Sequence, residues 1–150
     1  MSLRTALDRI IVLQEAVSIT DPITITVKKA YKLVPPQSQE LPDLPAFINI
    51  VNYVGQSASG GMRTLRYRVI MQCVVAKMTV EDDRSADIAV ALWEKTLDDF
   101  SHDLSLNGTV TLALFEENGP GIPGVLDRGD HYIGFEAVLN IRITEAFTFA

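Results

Sequence analysis

Basic side chains at close spacing are the first feature of this sequence that could do chemistry. Arg63, Arg66 and Arg68 share one stretch, and Lys28, Lys29 and Lys32 share another, with Tyr31 and Tyr67 beside them. Such a set could neutralise phosphates while aromatic rings stack on bases. Both tyrosines fall on the apolar parity of their segments, which assigns them to a core and argues against a nucleic-acid surface. Acids form the opposite set. Asp82, Asp83, Asp98, Asp99, Glu116, Glu117, Asp127 and Asp130 cluster in a helical run and in loops. Paired carboxylates do acid–base work only where burial separates their pKa values, and these read as solvated.

Two glycine-rich stretches imitate phosphate-binding motifs. Gly119-Pro-Gly121-Ile-Pro-Gly124 has the letters of the dinucleotide fingerprint. That motif needs a strand before it and a helix after it, whereas here prolines fill the spacing and a strand pattern follows. Gly55 to Gly60 matches the opening of a P-loop, but Gly61 and Met62 stand where Lys and Ser/Thr should hold phosphate and magnesium. Asn107-Gly108-Thr109 fits a glycosylation acceptor and reads better as a helix stop. His102 and His131 have no ligand spacing, and Cys73 lies on the apolar parity of a strand, the ordinary place for a small buried thiol. No catalytic, cofactor-binding or metal-binding constellation emerges.

Helix and strand periods position these residues. Leu3, Ala6, Leu7, Ile10, Leu13 and Val17 form one helical stripe, predicting a helix over 2–18 with Ser2 as its cap and Asp21-Pro22 beyond its end. Ile23, Ile25, Val27, Tyr31 and Leu33 alternate as a half-buried strand. Pro35, Pro36, Pro42 and Pro45 hold an extended connection. Residues 46–54 are apolar on both faces and read as a covered strand. A glycine-bearing tip at 55–61 leads into a long strand with Leu65, Tyr67, Val69, Met71, Cys73 and Val75 inward, which makes an antiparallel hairpin. A second helix over 85–106 buries Ala89, Trp93, Leu97, Phe100 and Leu104, helped by Leu92, and leaves Glu94, Lys95, Asp98 and Asp99 wet. Residues 109–115 form a strand burying Val110, Leu112 and Leu114. Residues 116–130 form a loop, at the length where loops are usually functional or disordered. In the closing strand, 131–143, Ile133, Phe135, Ala137, Leu139, Ile141 and Ile143 point inward. The predicted architecture is α+β, a mainly antiparallel sheet of four to five strands with two helices packed on one face.

Composition agrees with one folded domain. The chain has 150 residues, 47% hydrophobic and 21% charged, which excludes disorder. One cysteine excludes an internal disulfide framework. The apolar runs fall far short of the roughly 20 residues that span a bilayer, and Asp8 and Glu15 interrupt any leader-like run. The expectation is a soluble protein of a reducing compartment. Charge is divided along the chain: residues 1–80 carry a net +4 and residues 81–150 a net −10, giving −6 overall. Overall acidity argues against a dedicated nucleic-acid binder. Unlike halves suit copies of one chain that meet head to tail, or are simply two solvated faces of different charge.

The order of elements resembles a known family. It runs from an amphipathic first helix through a strand to the proline-punctuated Leu41-Pro-Asp-Leu-Pro-Ala-Phe47. A long arginine-bearing hairpin strand and an acidic helix with Ala91-Leu-Trp-Glu-Lys-Thr-Leu97 come next. A glycine-rich loop then leads to Tyr132-Ile-Gly-Phe-Glu-Ala-Val-Leu-Asn-Ile141. This pattern resembles the tail-terminator (tail-completion) proteins of long-tailed bacteriophages over most of the chain, as one domain over 1–150. The resemblance implies a structural virion protein of the tail and neck, assembled in the host cytoplasm. It would form a homohexameric ring that caps the tail tube, stops its polymerisation and offers a docking surface to the head connector or stopper. It implies no catalytic residue and no cofactor. DNA would pass through an acidic lumen without specific binding, since DNA affinity comes largely from phosphate neutralisation. Glu94, Asp98 and Asp99 would then face the lumen or a subunit interface, and Arg63, Arg66 and Arg68 a neighbouring subunit or the tube. Gln56, Ser57 and Ser59, with Glu116, Glu117, Asn118 and Arg128, would lie in loops reaching the tube or the connector. Residues 147–149 would continue the last strand over a neighbour or pack on their own sheet. Other neck and head–tail joining proteins share this outline. A monomeric ligand-binding α+β domain is the competing class, to be told apart by mass in solution and an enclosed apolar cavity, and a small enzyme with a loop-built site is a third.

Overall fold

Ser2 begins the first helix as its side chain requires. Its backbone is extended, and its Oγ accepts the Thr5 N–H at 3.2 Å, which satisfies one of the open donors of the first turn. In the computed structural model, which describes residues 1–36, 41–78, 83–116 and 122–146, helix α1 covers Leu3–Glu15. It stops short of Ser18 because the chain turns at Ala16 into a small ribbon. Strand β1 (Ser18–Ile19) pairs antiparallel with β2 (Ile25–Thr26) around Asp21-Pro22.

The expected continuous strand from Ile23 to Leu33 does not form. The backbone changes partners within it. Val27 N–H donates to Val17 O and Lys28 N–H to Pro45 O, after which β3 (Lys29–Tyr31) pairs parallel to β4 (Ala46–Ser59). Each change breaks the two-residue period, so Val27 and Ala30 are buried while Leu33 is 82% exposed.

β4 and β5 (Met62–Lys77) form the expected hairpin, and it is longer and tighter than the sequence suggested. Both strands continue to a turn at Gly60 and Gly61, whose φ of 59° and 78° are the left-handed values of a type I′ turn. The predicted tip over 55–61 therefore lies mostly in the ladder, with Gln56 opposite Leu65, Ser57 opposite Thr64 and Ser59 opposite Met62.

Helix α2 (Asp83–Ser101) ends five residues before the expected stop. Leu106, Asn107 and Gly108, all with positive φ, make a separate turn beyond it. Its buried side is Ile88, Ala89, Leu92, Thr96 and Phe100, whereas Leu97 and Leu104 are exposed. Thr96 can face inward because its hydroxyl donates to Leu92 O at 2.7 Å. A satisfied hydroxyl takes a position that an apolar pattern cannot identify.

Three strands complete the sheet: β6 (Leu112–Phe115), β7 (Gly124–Arg128) and β8 (Asp130–Ala146). The order is β3-β4-β5-β8-β6, with β7 also on β8, so the sheet has six strands rather than four or five. The extra one lies inside the predicted 116–130 loop, where Gly129, at φ 85°, turns β7 back into β8. β6 has the opposite parity to that expected. Ala113 is buried and Leu114 is 47% exposed, although Val110 is buried as predicted. The six inward residues named for β8 are all buried, but Tyr132, Gly134 and Val138 of its other face are buried as well, so the strand alternates cleanly only over Leu139 to Ile143.

Both helices lie on one face of this sheet, as expected for the α+β class. Ala6 and Ile10 of α1 and Ile88, Ala89, Leu92 and Phe100 of α2 share one core with Phe47, Val69, Met71, Cys73, Phe135 and Leu139. The opposite face carries a smaller cluster of Leu41, Ile48, Val74, Leu126 and Tyr132. That cluster covers only one end of the sheet. Among the described residues no helix is long and apolar enough to cross a membrane.

Candidate functional site

Strand alternation places Arg66 and Arg68 on the face away from the helices, because Tyr67 and Val69 point into the helix-side core. The register then brings residues of β8 and β6 beside them. Arg66 lies opposite Arg142, Arg68 opposite Asn140, Arg142 opposite Leu112, and Asn140 opposite Leu114. With Val54 and Glu116 these residues border an open groove of about 740 Å³. Arg63 has the other parity and does not join it. Its Nε donates to Glu145 at 2.7 Å across the β5–β8 ladder.

The groove arginines differ in their partners. Arg68 holds Glu116 through two bonds, Nε at 2.8 Å and a terminal nitrogen at 3.3 Å. Arg66 makes one long contact to Ser57 Oγ at 3.5 Å. Among the described residues, neither Arg66 nor Arg142 has a carboxylate partner. Two guanidinium groups directly opposite one another repel, so this pair gains by meeting an anion. Arg142, which alternates outward between Ile141 and Ile143, is the member of this site that sequence reasoning missed.

The predicted acids of α2 separate into two kinds. Glu94 and Asp98 are exposed and, with Asp87, occupy positions seven and four residues apart, which is one stripe of a helix. With Asp21 they flank a shallower recess between α2 and the β1–β2 turn. Asp99 is instead held by Lys95 at 2.7 Å, and that hydrogen bond raises the Lys95 pKa. Asp98 Oδ1 is 3.7 Å from Nδ1 of His102, whose ring nitrogen also contacts Asp98 O at 2.7 Å.

The loop residues fare unequally. Gln56, Ser57 and Ser59 are exposed, but on a strand. β3 pairs only with Ala46 to Ile48, so the outer edge of β4 beyond them has no strand partner among the described residues. Glu116 is engaged with Arg68. Glu117, Asn118 and residues 147–149 lie outside the described residues. Arg128, expected in a contact loop, is 5% exposed in β7 and donates to the carbonyls of Pro35 (3.4 Å) and Pro36 (3.3 Å). Those contacts anchor the proline segment, because a buried guanidinium needs acceptors.

The nucleophile and ligand candidates are not brought together. Cys73 is fully buried and free, and burial pushes its thiol pKa well up. A thiol-specific reagent should therefore leave native protein unmodified and react fully once the chain is unfolded. The unfolded thiol ionises near 9.0 while the native one stays protonated, so stability is retained below that pH and falls as pH rises above it. His102 and His131 are exposed, and no group of three His, Cys, Asp or Glu side chains could hold a metal ion among the described residues. Gly124 of the fingerprint-like run opens β7, not a helix.

No protein-family model matches the chain, and no curated protein was found to match it.

Proposed function

We propose that this chain is a ring-forming tail-terminator protein of a long-tailed bacteriophage. Copies of it would cap the tail tube, stop its growth and present a docking surface to the head connector in the virion neck. One observation carries the reading beyond the order of elements, namely the edge of β4. From Asn49 to Ser59 this strand contains no charge and no proline, and most of its outer edge is unpaired among the described residues. Sheet proteins that live alone guard such edges with lysines, prolines or covering segments. A strand edge left open suits a chain that other chains cover in an assembly.

In this reading the β4–β5 hairpin end, with Gln56, Ser57 and Ser59, reaches the tube or the connector. Glu94 and Asp98 line the lumen or a subunit boundary, where their charge keeps DNA moving without specific binding. The ring works without a catalytic residue, cofactor or membrane.

The test has two parts. Light scattering behind a sizing column should give a hexamer that loosens at high salt, because screening weakens contacts between charged faces. Added to a polymerising tail-tube protein, the ring should yield shorter, end-capped tubes in electron micrographs. A monomer that leaves tube length unchanged would remove this function.

A further inference from the structure

We infer that the arginine groove of one copy receives the acidic face of α2 from the next copy, with Arg66 and Arg142 meeting Glu94 and Asp98. The inference rests on the ring reading and names the contact that would build the ring. Three observations converge on it.

The first is which charges are left over. Arg63 is held by Glu145, Arg68 by Glu116 and Arg9 by Asp103, all within the subunit. Arg66 and Arg142 are opposed across the ladder without a carboxylate partner among the described residues. On α2, Lys95 engages Asp99 and also lies in the field of Asp98, while Glu94 and Asp98 are exposed and neither has a salt bridge to a lysine or arginine among the described residues. Other charges, such as Arg4, Lys28, Asp21 and Asp87, also lack a salt bridge among the described residues, but the groove holds two arginines side by side and α2 holds two acids one turn apart.

The second is the apolar surround. Val54 (54% exposed) and Leu114 (47%) border the arginines, and Leu97 (41%) stands next to Asp98 on the helix. Apolar contact around a charged centre excludes water and strengthens the pairing inside it. A free phosphate or a DNA strand would satisfy the arginines but would leave these apolar walls wet.

The third is direction. α2 packs on one face of the sheet and the groove opens on the other. One copy cannot bring its own two patches together, and a two-fold dimer would have to make the same contact twice at one interface, which patches on opposite sides of a subunit cannot do. Unlike patches on opposite sides make a heterologous contact, the kind that closes into a ring when the rotation allows.

The experiment uses two charge-reversed variants of the full chain, R66E/R142E and E94R/D98R, compared with the parent by light scattering. Each variant alone is expected to associate about 30- to 1,000-fold more weakly, as for loss of a desolvated charge pair. An equimolar mixture of the two should recover the ring, because each groove then meets a helix of opposite charge in alternation. The four substitutions in one chain should recover it as well. Rescue also rules out misfolding as the cause of the single-variant loss. If the parent forms a ring and the variants form it equally well, the pairing is wrong and the ring reading stands. If both variants are monomers and neither mixing nor combination rescues them, the pairing is also wrong. A parent that stays monomeric at high concentration overturns both. Loss of binding to a labelled DNA duplex by R66E/R142E, with its mass unchanged, would reassign the groove to phosphate.

Discussion

Replacing Gly134 with alanine is expected to destabilise the protein by about 3 kcal/mol or more, at the top of the range for overpacking. A Cβ built on Gly134 would fall well inside contact distance of the Cys73 carbonyl oxygen and 3.0 Å from Leu126 Cδ1. The clash is with backbone, so no rotamer change relieves it. Gly134 sits between Val74 of β5 and Gly124 of β7, and moving β8 away would break one ladder or the other. Gly55 supplies the control, since a Cβ there meets nothing within 4 Å, and Gly55→Ala should change stability by no more than about 0.5 kcal/mol. Urea unfolding of the two variants against the parent measures the difference. A Gly134→Ala protein as stable as Gly55→Ala would mean that β5 and β8 are further apart than described.

The second large effect concerns two amides. Gln14 of α1 and Asn49 of β4 are buried and exchange reciprocal hydrogen bonds, both 2.8 Å, and Asn49 donates a further one to Tyr31 O at 3.1 Å. Helix, β4 and the short strand β3 are joined at this point. Gln14→Leu should cost about 1–3 kcal/mol, because it leaves the Asn49 amide buried with an unmet group. Adding Asn49→Leu should return part of that loss, since two apolar partners no longer strand each other. It should not return all of it, because Tyr31 O then loses its donor. The double-mutant cycle therefore has a definite sign. Single and double losses that simply add would contradict the coupling.

What the sequence conveyed depends on how many competing partners each segment has. β8 was legible over 131–143 because one side of it is covered by core throughout, although its ends run on to Asp130 and Ala146 and Tyr132, Gly134 and Val138 are buried on the other side. The cap at Ser2 was legible because the interaction is local. The 23–33 segment was not, since its backbone passes from β1 to the Pro45 carbonyl to β4, and a period cannot record a change of partner. β7 was hidden by glycine and proline, which mark turns equally well beside a short strand. The face of α2 was misjudged where Thr96 satisfies itself and Leu97 stays outside. Gln14 and Asn49 look like surface residues one at a time, and only their pairing explains their burial. The arginine site shows the same limit. Arg66 and Arg68 were visible as a pair, but Arg142 joins them through a register between strands far apart in the chain, and Arg63 leaves them by a single step of parity.

The position of β8 bears on the timing of synthesis. It pairs with β5 from Met62–Ala146 to Lys77–Tyr132 and carries β6 and β7 on its other side, yet it follows all of them in the chain. While the ribosome is still translating that strand, β5 has a bare edge and the core lacks Phe135 and Leu139. Sheets closed by such distant pairings fold slowly, and a nascent chain cannot complete this one early. The groove also needs Asn140 and Arg142, so its cationic face does not exist until β8 is in place. If copies meet through this face as proposed, folding of each subunit must finish before it can recognise a neighbour, and partly made chains would be kept out of the assembly.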